Sequence, residues 1–149
     1  MSKYRALCVA AVLACCSFTA SAADLLLTPS AAKGRSGAVA LDIVTDGNVS
    51  GFNFVVRFGS SFDHSSVNVS KCLAELPKSF SGECRANKDG VYVFAMANNR
   101  ENLAAGVTAL GSIAVGSGLE KAGLTAEVSQ LTFADADGNT VESNYQFAK

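Results

Sequence analysis

Asp63-His64-Ser65 sets an acid, an imidazole and a hydroxyl side by side, the three groups of a hydrolytic triad. Triad members meet in space from distant parts of a chain, and neighbours on one loop do not normally reach that geometry. No Gly-x-Ser-x-Gly elbow occurs either, and His64, the only histidine, reads as a solvated loop residue. Asp135, Asp137 and Asn139 alternate oxygen-bearing side chains as the start of a calcium loop does. Counting twelve from Asp135 reaches Gln146, which lacks the bidentate carboxylate such a loop needs. A plain Asp-Gly turn explains the same residues. Glu75, Glu83, Glu101, Glu120, Glu127 and Glu142 are scattered without a motif, so no paired-carboxylate glycosidase is legible. The expectation is a non-enzymatic protein with no catalytic residue, no metal site and no cofactor.

Two other groups of residues carry chemistry of a different kind. Lys3 and Arg5 followed by the apolar run Ala6 to Cys16, closing on Ala20-Ser21-Ala22-Ala23, have the form of a cleavable bacterial-type signal peptide. Cleavage after Ala22 or Ala23 would leave one domain, so the expected organisation is a leader over 1–23 and a domain over 24–149. The run is too short for a permanent membrane span, and no later stretch resembles it, so the mature chain is expected to lack an integral membrane segment. The expected destination is the periplasm or the extracellular space. The alternative is a lipoprotein anchored through Cys15, since Val12-Leu13-Ala14-Cys15 resembles a lipobox. Cys8, Cys15 and Cys16 would leave with the leader, so Cys72 and Cys84 remain. In an oxidising compartment two cysteines most simply pair. Closing a loop of about a dozen residues contributes about 3 kcal/mol in the chain-entropy model.

The elements that hold these residues are strands. Gly37 to Val44 alternates with Val39, Leu41 and Ile43 on one side. Gly51 to Phe58 alternates more clearly, with Phe52, Phe54, Val56 and Phe58 facing a core and Asn53, Val55 and Arg57 facing away. Ser66 to Val69 predicts a short strand, and Lys88-Asp89-Gly90 a hairpin turn in which the glycine supplies a positive φ. Val91 to Ala97 is a near-continuous apolar strand, and Thr108 to Val115 another. From Leu124 to Phe133 the apolar side switches, which predicts a β-bulge near Ser129-Gln130. Thr140-Val141 would begin a last edge strand, and Leu25-Leu26-Leu27 would open the sheet at the other end. Short strands at about ten-residue intervals with glycine and Asx turns point to a β-sandwich.

Taken in order, these segments resemble a cohesin domain, the jelly-roll β-sandwich related to certain carbohydrate-binding modules. The resemblance lies in Leu25-Leu26-Leu27-Thr28-Pro29-Ser30 ahead of the alternating strand, and in Gly51 to Phe58, which is similar to the family strand "a-x-F-x-F-x-L-x-Y". It continues in Val91 to Ala97 followed by Leu110-Gly111-Ser112-Ile113, and in Phe133-Ala134-Asp135-Ala136-Asp137-Gly138-Asn139. It implies an all-β jelly-roll β-sandwich of about nine strands.

The resemblance also implies binding through an exposed sheet face. The outward set Asn53, Val55 and Arg57 mixes polar and apolar side chains, as such a patch does. On the next apolar strand either Val91, Val93 and Ala95 or Tyr92, Phe94 and Met96 must face outward, and the second set would make a binding row. A protein or peptide partner is therefore expected, with polysaccharide as the alternative. Against sugar stand the absence of tryptophan and the two tyrosines, Tyr92 and Tyr145, beyond the leader. Formal charge is −1 with no basic stripe, which excludes nucleic acid as a natural partner.

Overall fold

The structure, a computed structural model, describes residues 22–30, 37–59, 63–116 and 126–148. Residues 1–21 of the expected leader, Cys15 among them, the connector from Ser117 onward and the strand start at Leu124 lie outside these residues.

Among the described residues the chain forms eight strands: β1 (Ala22–Ser30), β2 (Gly37–Thr45), β3 (Gly51–Arg57), β4 (Phe80–Asn87), β5 (Gly90–Ala97), β6 (Gly106–Gly116), β7 (Glu127–Ala134) and β8 (Thr140–Phe147). They run in the order β4-β5-β3-β7-β8-β1-β2-β6. The curl comes at β8, which pairs with β7 through Thr140 and Val141 and then, from Glu142 to Phe147, runs parallel to β1. Two faces result, β4-β5-β3-β7 and β8-β1-β2-β6, packed around one core.

The alternation read from sequence places that core. Val39, Leu41 and Ile43 of β2 and Phe52, Phe54 and Val56 of β3 are buried, joined by Leu25 and Leu27 of β1 and Phe133 of β7. The rings of Phe52 and Phe133 meet edge-on at 6.4 Å, the geometry that aromatic quadrupoles favour. The expected bulge is present: the β3–β7 register shifts between Asn53 and Val55, and Gln130 takes a φ of 52°. Asn53 Nδ2 donates to the Gln130 carbonyl at 2.8 Å.

Four expectations are corrected. Ser66 to Val69 is a 3₁₀ turn over His64–Ser66 followed by a single bridge, Asn68 to Ala114, and not a strand. β4 starts inside the loop that Cys72 and Cys84 close and runs past it to Asn87, where no strand was expected; its pattern of mostly exposed residues hides it. β8 and β1 are interior neighbours in the sheet order and not edges. Gly90 has no positive φ. A Cβ there would stand 3.0 Å from Val55 Cγ1 and 3.1 Å from the Val56 carbonyl, so close approach selects the glycine. The β4–β5 turn is held instead by Asn87 Oδ1, which accepts from the Asp89 and Gly90 amides.

The side of the sandwich opposite β8 is closed by residues 68–76. Asn68 exchanges two 3.0 Å backbone hydrogen bonds with Ala114, the Lys71 carbonyl accepts from Ser112 N–H at 2.9 Å, and Glu75 N–H donates to the Leu110 carbonyl at 2.9 Å. These cover the free edge of β6, which would otherwise be an open template for pairing. The crossing is so close that a Cβ at Gly111 would fall 2.6 Å from the Cys72 carbonyl oxygen, and Gly111 takes a φ of 149°. The expected Cys72–Cys84 disulfide then ties this cover to β4. One segment thus bridges the outermost strands of both faces.

Candidate binding face

β5 settles the choice between its two alternating sets. Val91, Val93 and Ala95 are buried, while Phe94 is 48 % and Met96 54 % exposed, with Tyr92 half-buried on the same side. Register fixes their neighbours. Glu83 and Asn53 flank Phe94, Arg85 and Val55 flank Tyr92, and Ser81 and Gly51 flank Met96. Gly51 has no side chain to cover Met96 from the β3 side, so the row stays open there.

Around the row lie polar groups on rigid strands. Arg85 Nε donates to Glu83 Oε1 at 2.7 Å, and this bond raises the arginine above its ordinary value. The pair is well exposed, and such pairs contribute little to stability. It sets two opposite charges of β4 beside Phe94 and Tyr92, with which Glu83 and Arg85 are registered. Arg57 is exposed at the far end of β3, registered with Glu127 of β7. Asn53, Val55, Tyr92, Phe94 and Gln130 enclose a shallow open depression at the centre of the face.

Of the six residues expected to bind, Asn53, Arg57, Phe94 and Met96 are exposed on this one face and Tyr92 is half-buried there. Val55 is the correction: it points to the same side but is only 2 % exposed. It packs over the bare Gly90 and lies between Tyr92 and Ser129 in register, so it floors the depression. Gln130 was not expected, because the bulge that turns it outward was read as a change of face and not as a site. Beside it, Ser129 Oγ is buried with no hydrogen-bond partner among the described residues.

Asp63-His64-Ser65 is taken apart by the fold. Asp63 Oδ1 accepts from the Ser65 amide and hydroxyl at 2.9 and 2.5 Å. The hydroxyl bond is the larger cause that holds this carboxyl below its usual range. His64 is not solvated; it is 2 % exposed and turned away from that pair. Its Nε2 accepts from Phe58 N–H at 2.8 Å, so the ring carries its proton on Nδ1, which faces the Lys88 carbonyl at 3.2 Å. The ring also stacks on Phe58 at 5.9 Å. His64 therefore pins the end of β3 to the β4–β5 turn.

The Asp135 carboxylate is consumed locally as well. Oδ1 accepts from the amides of Asp137 and Asn139 at 2.9 and 2.8 Å. The Asn139 amide bond is the main cause that lowers its pKa. Asp137 is paired with Arg100 at 2.9 Å. These residues form a closed turn between β7 and β8. Among the described residues no group of three His, Cys, Asp or Glu side chains is placed to hold a metal ion, and no helix is long and apolar enough to cross a membrane.

Comparison with solved structures places this architecture. The CaDoc0917–CaCohA2 complex matches with a TM-score of 0.58 at 12 % identity, over 83 % of this chain and 94 % of the matched one. A type II cohesin from Bacteroides cellulosolvens gives 0.54 at 9 % identity, over 83 % and 95 %. A type I cohesin–dockerin complex from Clostridium thermocellum gives 0.50 at 14 %, over 83 % and 88 %. The fold is a cohesin-like β-sandwich. No family model matches the sequence, and no curated protein matches it.

Proposed function

We propose that the chain is an exported, non-catalytic binding module that engages a protein partner through the outer face of β4-β5-β3-β7. The observation that carries this is the solvent-facing row Tyr92-Phe94-Met96, set among Asn53, Arg57, Arg85 and Gln130 on paired strands. Aromatic, methionine and arginine side chains are those enriched where protein partners dock. Two of the matched structures are complexes with a second protein, named for a dockerin in one of them, which supports the same reading here. The export component rests on the Lys3 to Ala23 leader pattern.

The test is affinity capture from the envelope and medium of the source organism, with insoluble polysaccharides assayed in parallel. The expected result is one discrete protein whose purified form binds the domain and fails to bind Phe94→Asp. Retention on a glycan that survives this substitution would replace the protein reading.

A further inference from the structure

We propose that processing hydrolyses the Ala22–Ala23 peptide bond, so that the mature chain begins at Ala23; this rests on the export reading above. The sequence permits two cuts, with Ala20 and Ala22 or Ser21 and Ala23 as the small residues that a signal peptidase reads. The position of β1 separates them. Ala23 is 0 % exposed, in the row of Leu25 and Leu27 that faces the core, whereas Ala22 is exposed. Ala23 is also the first residue paired on both sides, with Thr45 of β2 and Ser143 of β8, while Ala22 is paired with Glu142 alone.

The boundary at which the chain enters the doubly paired ladder thus falls between these two alanines. A cut one residue later would delete the buried Ala23 side chain from the core row and remove the first residue of β1 that is paired on both sides, starting the chain on Asp24. In the proposed step water adds to the Ala22 carbonyl carbon and the C–N bond breaks. Ala22 leaves with the leader as a carboxylate, and Ala23 keeps the nitrogen as an α-ammonium. The bond lies at the first step of β1, which is held between β8 and β2, so the cut precedes the docking of β1.

The full chain, expressed in an exporting bacterial host, is analysed by intact mass and N-terminal sequencing alongside Ala20→Asp and Ser21→Asp. The expected product starts at Ala23, Ala20→Asp accumulates precursor at least tenfold, and Ser21→Asp is processed normally. A start at Asp24 with the opposite variant pattern overturns the cut and leaves export standing. A start at an acylated Cys15 also overturns the cut. Full-length chain retained in the cytoplasm overturns the export reading and the cut together. Purified chains starting at Ala23 and at Asp24 supply the second measurement: the shorter should melt lower by about 3 °C or more, and equal melting would remove the structural reason for the choice.

Discussion

Across β4-β5-β3-β7 the outward positions carry Arg85, Tyr92, Phe94, Met96, Asn53 and Arg57. Across β8-β1-β2-β6 the outward positions carry Ala38, Ala40, Ser112 and Ala114 toward one end, Leu26, Asp42, Val44 and Val107 farther along, and Asp24 and Asn144 toward β8. Both faces obey the same period-2 rule and share one core. They differ in what the outward half of the alternation was given: an aromatic row beside two arginines on one, alanines, aliphatics and carboxylates with no such row on the other. A face with no aromatic row or arginine at these positions offers area but few anchors, and binding energy concentrates in anchors. A core pattern therefore fixes where the two surfaces lie and says nothing of which is used.

The contrast breaks most directly by charging each face in turn. Phe94→Asp with Met96→Asp should weaken partner binding about 1,000-fold, roughly 4 kcal/mol. Val107→Asp, at the most exposed large apolar residue of the second face, should leave affinity within about twofold. Titration calorimetry reads both, and equal losses would erase the distinction.

The Cys72–Cys84 clip belongs to both faces, because residues 68–76 hold the edge of β6 and the disulfide reaches β4. Replacing both cysteines by serine should cost about 3 kcal/mol in denaturant unfolding, with amide exchange rising on both sides. His64 serves one side only. His64→Ala removes the imidazole acceptor of Phe58 N–H and its contact with the Lys88 carbonyl, a cost of about 2 kcal/mol. Exchange should quicken at the end of β3 and in the β4–β5 turn while β1 and β2 stay protected. A uniform rise would show that the faces do not loosen independently.

The smallest effect concerns the turn where the faces join. The Asp135 carboxyl is held below its usual range by the Asn139 amide, so its ionised form stabilises the native turn. That contribution is present above about pH 4, the unfolded value, and is lost as pH falls through the lowered native value. Asp135→Asn should narrow the difference between melting temperatures at about pH 5 and about pH 2.5. An unchanged difference would place the acid sensitivity elsewhere.

Much of this was legible in the sequence where one residue type marked one position. Three phenylalanines in alternation fixed the inward side of β3, two cysteines fixed the clip, and the switch of apolar side located the bulge at Gln130. β5 was ambiguous because both of its alternating sets are apolar, and only the neighbouring strands decide between them. Val55 and His64 were misread for a shared reason: each is buried by residues far along the chain, Gly90 for one and Lys88 for the other. β4 and β8 carry polar residues that look like loop and edge, and pairing partners rather than composition make them strands.

The parallel ladder of Ala22–Leu27 on Glu142–Phe147 joins the first strand to the last. Contacts of such separation are the slowest to form, since nearly the whole chain must be ordered to close them. A chain delivered from its N-terminus therefore carries β1 without its β8 neighbour until Glu142 to Phe147 arrive. The curl that joins the two faces is the last thing to exist. Until then β7 and β1 both offer bare edges, and the polypeptide remains a thread that can still be passed through a narrow opening. Arrival of β8 works as a clock: it starts the closure, and a chain stalled before Thr140 stays open to wrong pairing.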